Sequence, residues 1–239
     1  MKISKEYKQQ VIVLHGLGRL PRSMRKLESC LIRDGFHVLN IGYPSHSDDF
    51  ESILSQVIDQ VKVQINPNLQ IHFIGHSFGG LMIRGLLANK EQWLARGATG
   101  LENSRCVMLG TPNKGTSIAK FMTDHTVPKY VTPRVSIELV PNSQLINTLP
   151  EPNIETGIIA GNKPFIPWIP VTWFYKKASA NAPGDGVVEV SSTQCSNMSD
   201  FIVMPLHHSF MMWDSQLIEQ SIHFLKNGCF VNGILNSHK

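Results

Sequence analysis

Apolar and polar positions follow two different patterns along the first 110 residues of the chain. Short apolar runs, each bounded by glycine, proline or polar residues, are typical of buried strands, and we predict them at 11–15, 36–41, 69–74 and 105–109. Segments with helical spacing separate them, at 23–35, 50–65 and 78–89. Strands that alternate with helices of this length predict βαβ units, and therefore a mostly parallel sheet with helices on both faces.

The clearest predicted helix covers residues 50–65. Its apolar residues recur at intervals of three and four, which places them on one face of a helix. They are Phe50, Ile53, Leu54, Val57, Ile58, Val61 and Ile65. Asp48, followed three residues later by Glu51, predicts a capping box at the start of this helix.

The pattern changes after Gly110. Prolines become frequent and periodicity is weak up to residue 170, so we expect mainly irregular structure there. Later elements are strands at 156–160 and 201–206, a short strand at 187–190, and a closing helix at 214–226. No linker or internal repeat interrupts the chain, and we predict a single domain over residues 1–239.

Composition narrows the classes of protein that fit. With 239 residues, folding buries roughly 70% of the surface of the unfolded chain, which is enough for one sizeable core. The formal net charge is +4 and the basic residues are scattered, so we predict no nucleic-acid binding. The four cysteines form no CxxC pair, which predicts neither a disulfide framework nor a metal site. No signal peptide or membrane-spanning stretch is evident, which predicts a cytoplasmic location.

A nucleophile elbow is predicted at Gly75-His76-Ser77-Phe78-Gly79, which fits the pattern G-x-S-x-G. A predicted strand precedes it and a predicted helix follows, which is the setting that exposes a reactive serine hydroxyl. The alternative is a serine in a glycine-rich phosphate-binding turn. That alternative is disfavoured because neither G-x-G-x-x-G nor G-K-[ST] accompanies the motif.

A serine hydroxyl needs a base, and the order nucleophile, acid, histidine is typical of this architecture. The histidines downstream of Ser77 are His125, His207, His208, His223 and His238. His207 and His208 directly follow a predicted strand, where a loop at the carboxyl edge of the sheet brings one of them to Ser77. The residues alone leave the choice between these two open.

Asp185 is the candidate acid. It lies in a Gly-Asp-Gly turn that enters a β-branched run, and it precedes the histidine pair. Aspartate and glycine also favour turns for backbone reasons, so an ordinary turn is the alternative. Asp200 and Asp214 are the rival carboxylates. The tetrahedral intermediate of acyl transfer further requires two N–H donors, for which we predict the peptide groups of Leu17 and Phe78.

These motifs together resemble the α/β-hydrolase superfamily, in particular the bacterial esterase and triacylglycerol lipase-like branch. The resemblance extends over nearly the whole chain. Its markers are HGLGR at 15–19, GYPSH at 42–46, GHSFGG at 75–80, LGTPNKGT at 109–116, PGDGVVEVSST at 183–193 and HHSFMM at 207–212.

The resemblance implies a serine hydrolase that cleaves carboxylic esters, with a small-molecule acyl ester as its substrate and without a metal or organic cofactor. It also implies Asp185 as the acid and His208, rather than His207, as the base. Larger members of this group carry a bulky lid, but this chain has little length for one, so we expect a minimal cap. His15 and His76 would then have structural roles. An acyltransferase or a thioesterase would use the same triad, and a non-catalytic domain that binds a ligand or partner is a further alternative.

The segment 165–175 is rich in aromatic residues and prolines, and two lysines follow it. One hypothesis is a stiff flap that lines an acyl pocket or touches a membrane surface, which would give the protein a peripheral lipid contact. The alternative is an ordinary apolar loop packed over the edge of the sheet.

Overall fold

The computed structural model of the protein describes residues 7–45, 48–95, 100–124, 134–168 and 171–231. The strands in these ranges are β1 (Gln9–Leu14), β2 (His37–Ile41), β3 (Gln70–His76), β4 (Arg105–Leu109), β5 (Glu155–Gly161) and β6 (Asp200–Met204). They form one sheet in the order β2-β1-β3-β4-β5-β6, and every neighbouring pair is parallel.

Helices connect the strands and cover the sheet. They are α1 (Arg25–Arg33), α2 (Phe50–Gln64), α3 (Phe78–Ala88), α4 (Lys90–Trp93), α5 (Ser117–Asp124), α6 (Gln144–Thr148), α7 (Val171–Ala178), α8 (Val190–Thr193) and α9 (Ser215–Asn227). Short 3-10 helices cover Pro21–Met24, Arg134–Leu139 and His208–Trp213.

Both faces of the sheet are buried. Successive side chains of a strand point to opposite faces, so Ile12 and Leu14 of β1 pack in one apolar cluster with α2 and α3. Val11 and Val13 pack in a second cluster with α1 and α9. Strands buried on both faces have nearly continuous apolar sequences, which is the pattern seen along the chain. The predicted parallel sheet with helices on both faces is confirmed.

The first turn of α2 differs from the prediction. The helix itself is confirmed, but its N-cap is Asp49, whose carboxylate accepts a hydrogen bond of 2.9 Å from the backbone N–H of Ser52. The side chain of Asp48 instead accepts a hydrogen bond from Gln56. The capping box of Asp48 and Glu51 is therefore wrong by one residue.

The predicted short strand at 187–190 is also wrong. A tight turn stands there, because the side chain of Asp185 accepts hydrogen bonds from the backbone N–H groups of Val187 and Val188. The turn then continues into α8 (Val190–Thr193). The β-branched residues at 187–190 give the sequence the pattern of a strand, although they do not pair as a strand in the sheet.

The region between Gly110 and residue 170 is more ordered than predicted. It contains α5, the Arg134–Leu139 turn and α6, where Ser143 caps the first turn by accepting a hydrogen bond from Ile146. Such short helices show little periodicity. The segment 165–175 likewise runs into α7 rather than forming a loop throughout; its residues 169–170 lie outside the described ranges, as does His46 of the GYPSH motif.

Candidate active site

Ser77 lies at the sharp turn between β3 and α3. Its backbone has φ 54° and ψ −122°, which is rare for a residue with a side chain. A Cβ on Gly75 would lie 2.5 Å from the nitrogen of Gly80, and a Cβ on Gly79 would collide with the carbonyl oxygen of Leu14. The glycines of the motif therefore permit the close backbone contacts of the turn, and the predicted strand–turn–helix setting is present.

The structure brings Ser77, Asp185 and His208 together. His208 Nε2 lies 2.9 Å from Ser77 Oγ, and His208 Nδ1 lies 2.8 Å from Asp185 Oδ2. A carboxylate only accepts, so Nδ1 carries the hydrogen and Nε2 is left to accept from the serine hydroxyl. Asp185 is fully buried, while Ser77 is 9% exposed and His208 is 7% exposed.

Backbone hydrogen bonds hold the acid and the histidine in place. The N–H of His208 donates to the carbonyl oxygen of Asp185 over 3.0 Å, which ties the loop after β6 to the loop after β5. Asp185 Oδ1 accepts from the N–H groups of Val187 and Val188 at 3.0 and 2.8 Å. One carboxylate oxygen thus fixes its own turn while the other faces the imidazole.

The rival residues stand elsewhere. His207 Nδ1 accepts a hydrogen bond from the backbone of Ser209, and burial lowers the pKa of His207 to about 4. Asp214 caps α9 by accepting from the N–H of Leu217. Asp200 lies at the amino end of β6, at the opposite end of the strands from Ser77.

His223, the remaining candidate within the described residues, has a different partner. His223 lies on α9, where Nδ1 is 2.8 Å from the carbonyl oxygen of Cys229. His125 and His238 lie outside the described residues.

His76 supports the loop that carries His208. Its Nε2 lies 3.0 Å from the carbonyl oxygen of His208, and because a carbonyl only accepts, the ring donates. Burial, followed by the nearby imidazole of His208, lowers the pKa of His76 well below its ordinary value. A neutral ring therefore ties the elbow to the histidine loop.

The loop after β1 contains Leu17. Among the described residues, no acceptor is hydrogen-bonded to the N–H of Leu17 or of Phe78. His15 braces this loop: its ring stacks on Tyr43 at 4.1 Å, and its Nδ1 donates to the carbonyl oxygen of Gly16 over 3.0 Å. Burial lowers the pKa of His15, which favours the neutral form of the ring.

A cavity of about 260 Å³ opens above Ser77, and both polar and apolar side chains line it. Its polar lining residues include Arg19, His76, Ser77, Thr116, Ser136, His208 and Ser209. Its apolar lining residues, which we call the apolar wall, include Leu17, Ile118, Ala119, Met122, Leu139, Val187 and Val188. An uncharged chain attached to a reacting carbonyl at Ser77 would find apolar contacts there.

The apolar wall contains the residues that sequence reasoning missed. Ile118, Ala119 and Met122 lie on α5, in the region expected to be irregular. Their spacing of one and four residues is a helical signal, but it extends over barely two turns. Only the fold shows that this short helix faces Ser77.

Two further observations concern the described ranges. No group of three or more His, Cys, Asp or Glu side chains within them is placed to hold a metal ion. No helix within them is long and apolar enough to cross a membrane.

Comparison with known proteins agrees with this architecture. The family model of palmitoyl protein thioesterases matches residues 10–144, from β1 through the elbow and α5 to the start of α6. No protein of curated function matches the chain in sequence.

Solved structures share the fold at low sequence identity. The mature form of a lipase from Bacillus licheniformis has a TM-score of 0.71 at 13% identity, over 93% of this chain and 91% of the lipase. A phospholipase from Legionella pneumophila has a TM-score of 0.60 at 15% identity, over 85% of this chain and 53% of that protein. A metagenomic carboxyl esterase has a TM-score of 0.58 at 13% identity, over 85% of this chain and 65% of the esterase. The predicted α/β-hydrolase fold is thereby confirmed.

Proposed function

The chain belongs to the palmitoyl protein thioesterase family of the α/β-hydrolase superfamily, and we propose that it is a serine hydrolase that cleaves carboxylic esters through an acyl-enzyme. Family membership indicates a hydrolase of the esterase, lipase and thioesterase type. The observation that carries the finer proposal is the continuous hydrogen-bonded chain from Ser77 through His208 to Asp185.

In the proposed mechanism, Ser77 Oγ attacks the carbonyl carbon of the ester while His208 Nε2 takes the hydroxyl proton. Asp185 keeps the imidazole in the tautomer with hydrogen on Nδ1 and stabilises the imidazolium that forms. The N–H groups of Leu17 and Phe78 donate to the oxyanion of the tetrahedral intermediate. Their lack of a partner within the described residues leaves both free for this role.

Collapse of the intermediate expels the alcohol, which receives the proton from His208. Water then enters, His208 removes its proton, and the resulting attack on the acyl-serine releases the carboxylic acid and restores Ser77. The proton transfers use Ser77, His208 and Asp185, which lie in succession within hydrogen-bonding distance of one another. No step requires a metal or an organic cofactor.

The Ser77→Ala variant tests the proposal. We expect it to fold like the parent, because the hydroxyl is a small group at a turn held by backbone contacts. Turnover of p-nitrophenyl butyrate should fall by several orders of magnitude. A fluorophosphonate should label the parent at Ser77 and leave the variant unlabelled, as mass spectrometry of the peptide would show.

Ser29→Ala is the matched control, since Ser29 is an exposed residue of α1 away from the cavity. It should retain both turnover and labelling. If Ser77→Ala hydrolyses the ester as fast as the parent, the assignment of Ser77 is wrong. Absence of labelling in folded parent protein would instead favour the non-catalytic alternative.

A thioesterase is the second candidate, and the palmitoyl protein thioesterase match is the observation that favours it. The same triad serves both reactions, so the difference is in the leaving group. Matched butyryl esters and butyryl thioesters, assayed with and without alcohol acceptors, would separate ester hydrolysis, thioester hydrolysis and acyl transfer.

We also propose a peripheral lipid contact through an aromatic surface formed by Phe165, Trp168, Trp173 and Phe174. Their exposed fractions run from 46% to 75%. Aromatic rings with adjacent cations are typical of surfaces that enter the headgroup region of a membrane, and Lys176 and Lys177 follow in α7.

This aromatic surface adjoins the wall of the cavity. The rings of Phe121 on α5 and Phe174 on α7 stack at 5.6 Å, while Ile118, Ala119 and Met122 of α5 line the cavity above Ser77. An acyl chain leaving a lipid surface would therefore meet the apolar wall first. Acyl and lipid esters are accordingly the proposed substrates.

A further inference from the structure

A second cavity lies beside the one above Ser77 and is rich in positive charge. Its volume is about 480 Å³, which is within the range of small-ligand sites. Arg19, Arg22 and Arg25 line it together with Gly18, Leu20 and Trp213. We call it the arginine cavity. None of the residues that line it is acidic.

The three guanidinium groups have no carboxylate partner in the described part of the chain. The ion pairs found there involve other cations, namely Arg105, Lys120, His208 and Lys226. Glu28 follows Arg25 by one turn of α1, but its carboxylate accepts a hydrogen bond from Asn40. Three like charges around one cavity repel each other, and an anion bound among them would relieve that repulsion.

Arg19 connects the arginine cavity to the candidate active site. It lines both cavities, and it lies two residues after Leu17 on the loop that follows β1. Its Nη2 donates a long hydrogen bond of 3.3 Å to the carbonyl oxygen of Ser209, the residue next to His208. Burial lowers the pKa of Arg19, because a charge partly removed from water is less well solvated.

We propose that the arginine cavity binds a phosphate group carried by the acyl substrate close to its scissile ester. This inference rests on the proposed ester hydrolysis and names the class of substrate: acyl esters of phosphate-bearing alcohols. The acyl chain then lies against the apolar wall formed by α5, the carbonyl lies at Ser77, and the alcohol extends past Arg19 into the arginine cavity.

The chemistry of the lining favours phosphate. A guanidinium donates in a planar fork that fits phosphate and carboxylate oxygens in pairs. A single carboxylate has two oxygens and one charge, which cannot serve three arginines. A phosphate presents more acceptor oxygens and, as a monoester, close to two charges at neutral pH.

Two substrates that differ only in the phosphate test the proposal: 1-butyrylglycerol 3-phosphate and 1-butyrylglycerol. Their short chains keep both in solution, so the aromatic surface does not contribute. The parent should show a kcat/KM at least about tenfold higher for the phosphate ester, as charge-assisted hydrogen bonds predict. In the double variant Arg22→Gln/Arg25→Gln this ratio should fall close to one.

Arg33→Gln is the control for the loss of a nearby surface charge, because Arg33 is an exposed residue of α1 outside the arginine cavity. It should keep the parent's ratio. The proposal is overturned if the parent shows no preference for the phosphate ester, or if the preference survives in the double variant.

Binding to Ser77→Ala protein separates this proposal from the proposed function. Calorimetry should give a dissociation constant about tenfold lower for the phosphate ester than for the neutral ester, and this difference should vanish when Arg22→Gln and Arg25→Gln are added. If the parent hydrolyses neither ester, binding alone decides the arginine cavity, while turnover of p-nitrophenyl butyrate decides the proposed function. Inorganic phosphate that binds as tightly as the phosphate ester would indicate a site for the free anion and overturn the assignment to the substrate.

Discussion

His72 and His76 lie four residues apart on β3, and both are buried, but their hydrogen bonds connect β3 to different regions of the molecule. Toward the amino end of the sheet, His72 Nδ1 accepts a hydrogen bond of 3.1 Å from the backbone N–H of Arg105 at the start of β4. At the carboxyl end, His76 donates to the backbone of the loop that carries His208.

The two ends of the sheet differ in whether their buried polar groups are placed to take part in a reaction. At the amino end, His72 and Asp200 are bonded to backbone groups, and neither residue lines the cavity above Ser77. At the carboxyl end, Asp185 and His208 also bond to backbone groups, but Asp185 Oδ2 faces His208 Nδ1 and His208 Nε2 faces Ser77. A stable polar network thus becomes a candidate active site where one face of it opens to a cavity.

Among the variants at the two ends of the sheet, Asp185→Asn is expected to have the largest effect on turnover. The amide can keep the hydrogen bonds to Val187 and Val188, but it no longer offers a carboxylate to His208 Nδ1, so the wrong tautomer is favoured. Turnover of p-nitrophenyl butyrate should fall by about 10⁴-fold.

Asp200→Asn is the matched change at the amino end. Its carboxylate accepts from the N–H groups of Phe201 and Phe230, so this variant should lose about 1–3 kcal/mol in the free energy of unfolding. The folded fraction should keep the parent's turnover. Comparable losses of turnover in both variants would contradict the distinction between the two ends.

The next effect concerns pH and stability. Burial, followed by the charge of Arg105, lowers the pKa of His72 to about 4. Below the ordinary pKa of 6.5, His72 of the unfolded chain binds a proton that the native protein excludes. The contribution of His72 to the free energy of unfolding is therefore complete above pH 6.5 and is lost as the pH falls toward 4. Between pH 7.5 and 4.5 the loss amounts to about 2–3 kcal/mol.

His72→Asn should remove that part of the pH dependence while its side-chain oxygen keeps the bond from Arg105. Urea unfolding at several pH values measures it, and the free energy of unfolding should fall less steeply with acidification in the variant. An unchanged slope would mean that His72 is accessible to protons in the native protein.

A smaller effect is expected from His76→Phe, which keeps the aromatic volume but loses the donor to the carbonyl oxygen of His208. We expect kcat to fall about tenfold to a hundredfold with KM little changed, since small displacements of a reacting group have effects of this size. His76→Gln, which offers an amide N–H in a similar position, should recover part of the rate. Equal rates in the two variants would contradict a positioning role.

The smallest effect lies beyond the carboxyl end, at the aromatic surface. Trp168→Ser/Trp173→Ser should reduce co-sedimentation with anionic vesicles several-fold and leave hydrolysis of p-nitrophenyl butyrate unchanged. Removing the whole segment 165–175 is a poorer test, because Tyr175 is buried in the core. Vesicle binding equal to that of the parent would overturn the lipid contact.

From the sequence alone, the architecture and the candidate reacting groups could be predicted. Apolar runs and helical spacing were sufficient for the strands and for α2, α3 and α9, because burial on both faces of a parallel sheet leaves a strong pattern. The glycines around Ser77 and the order Ser77, Asp185, His208 are local or ordinal features, and each could be read without coordinates. The residues alone left His207 and His208 open, and only the resemblance to a family preferred His208.

Other features became clear only in the tertiary structure, because they depend on contacts between separate segments of the chain. Asp185 and Val187 form a turn rather than the start of a strand because a carboxylate captures two backbone N–H groups, a competition that β-propensity does not describe. The apolar wall on α5 and the arginine cavity shared by α1, the loop after β1 and Trp213 join segments that are far apart in the chain. Short helices and convergent charges leave little periodicity, so their position relative to Ser77 appears only when the chain has folded.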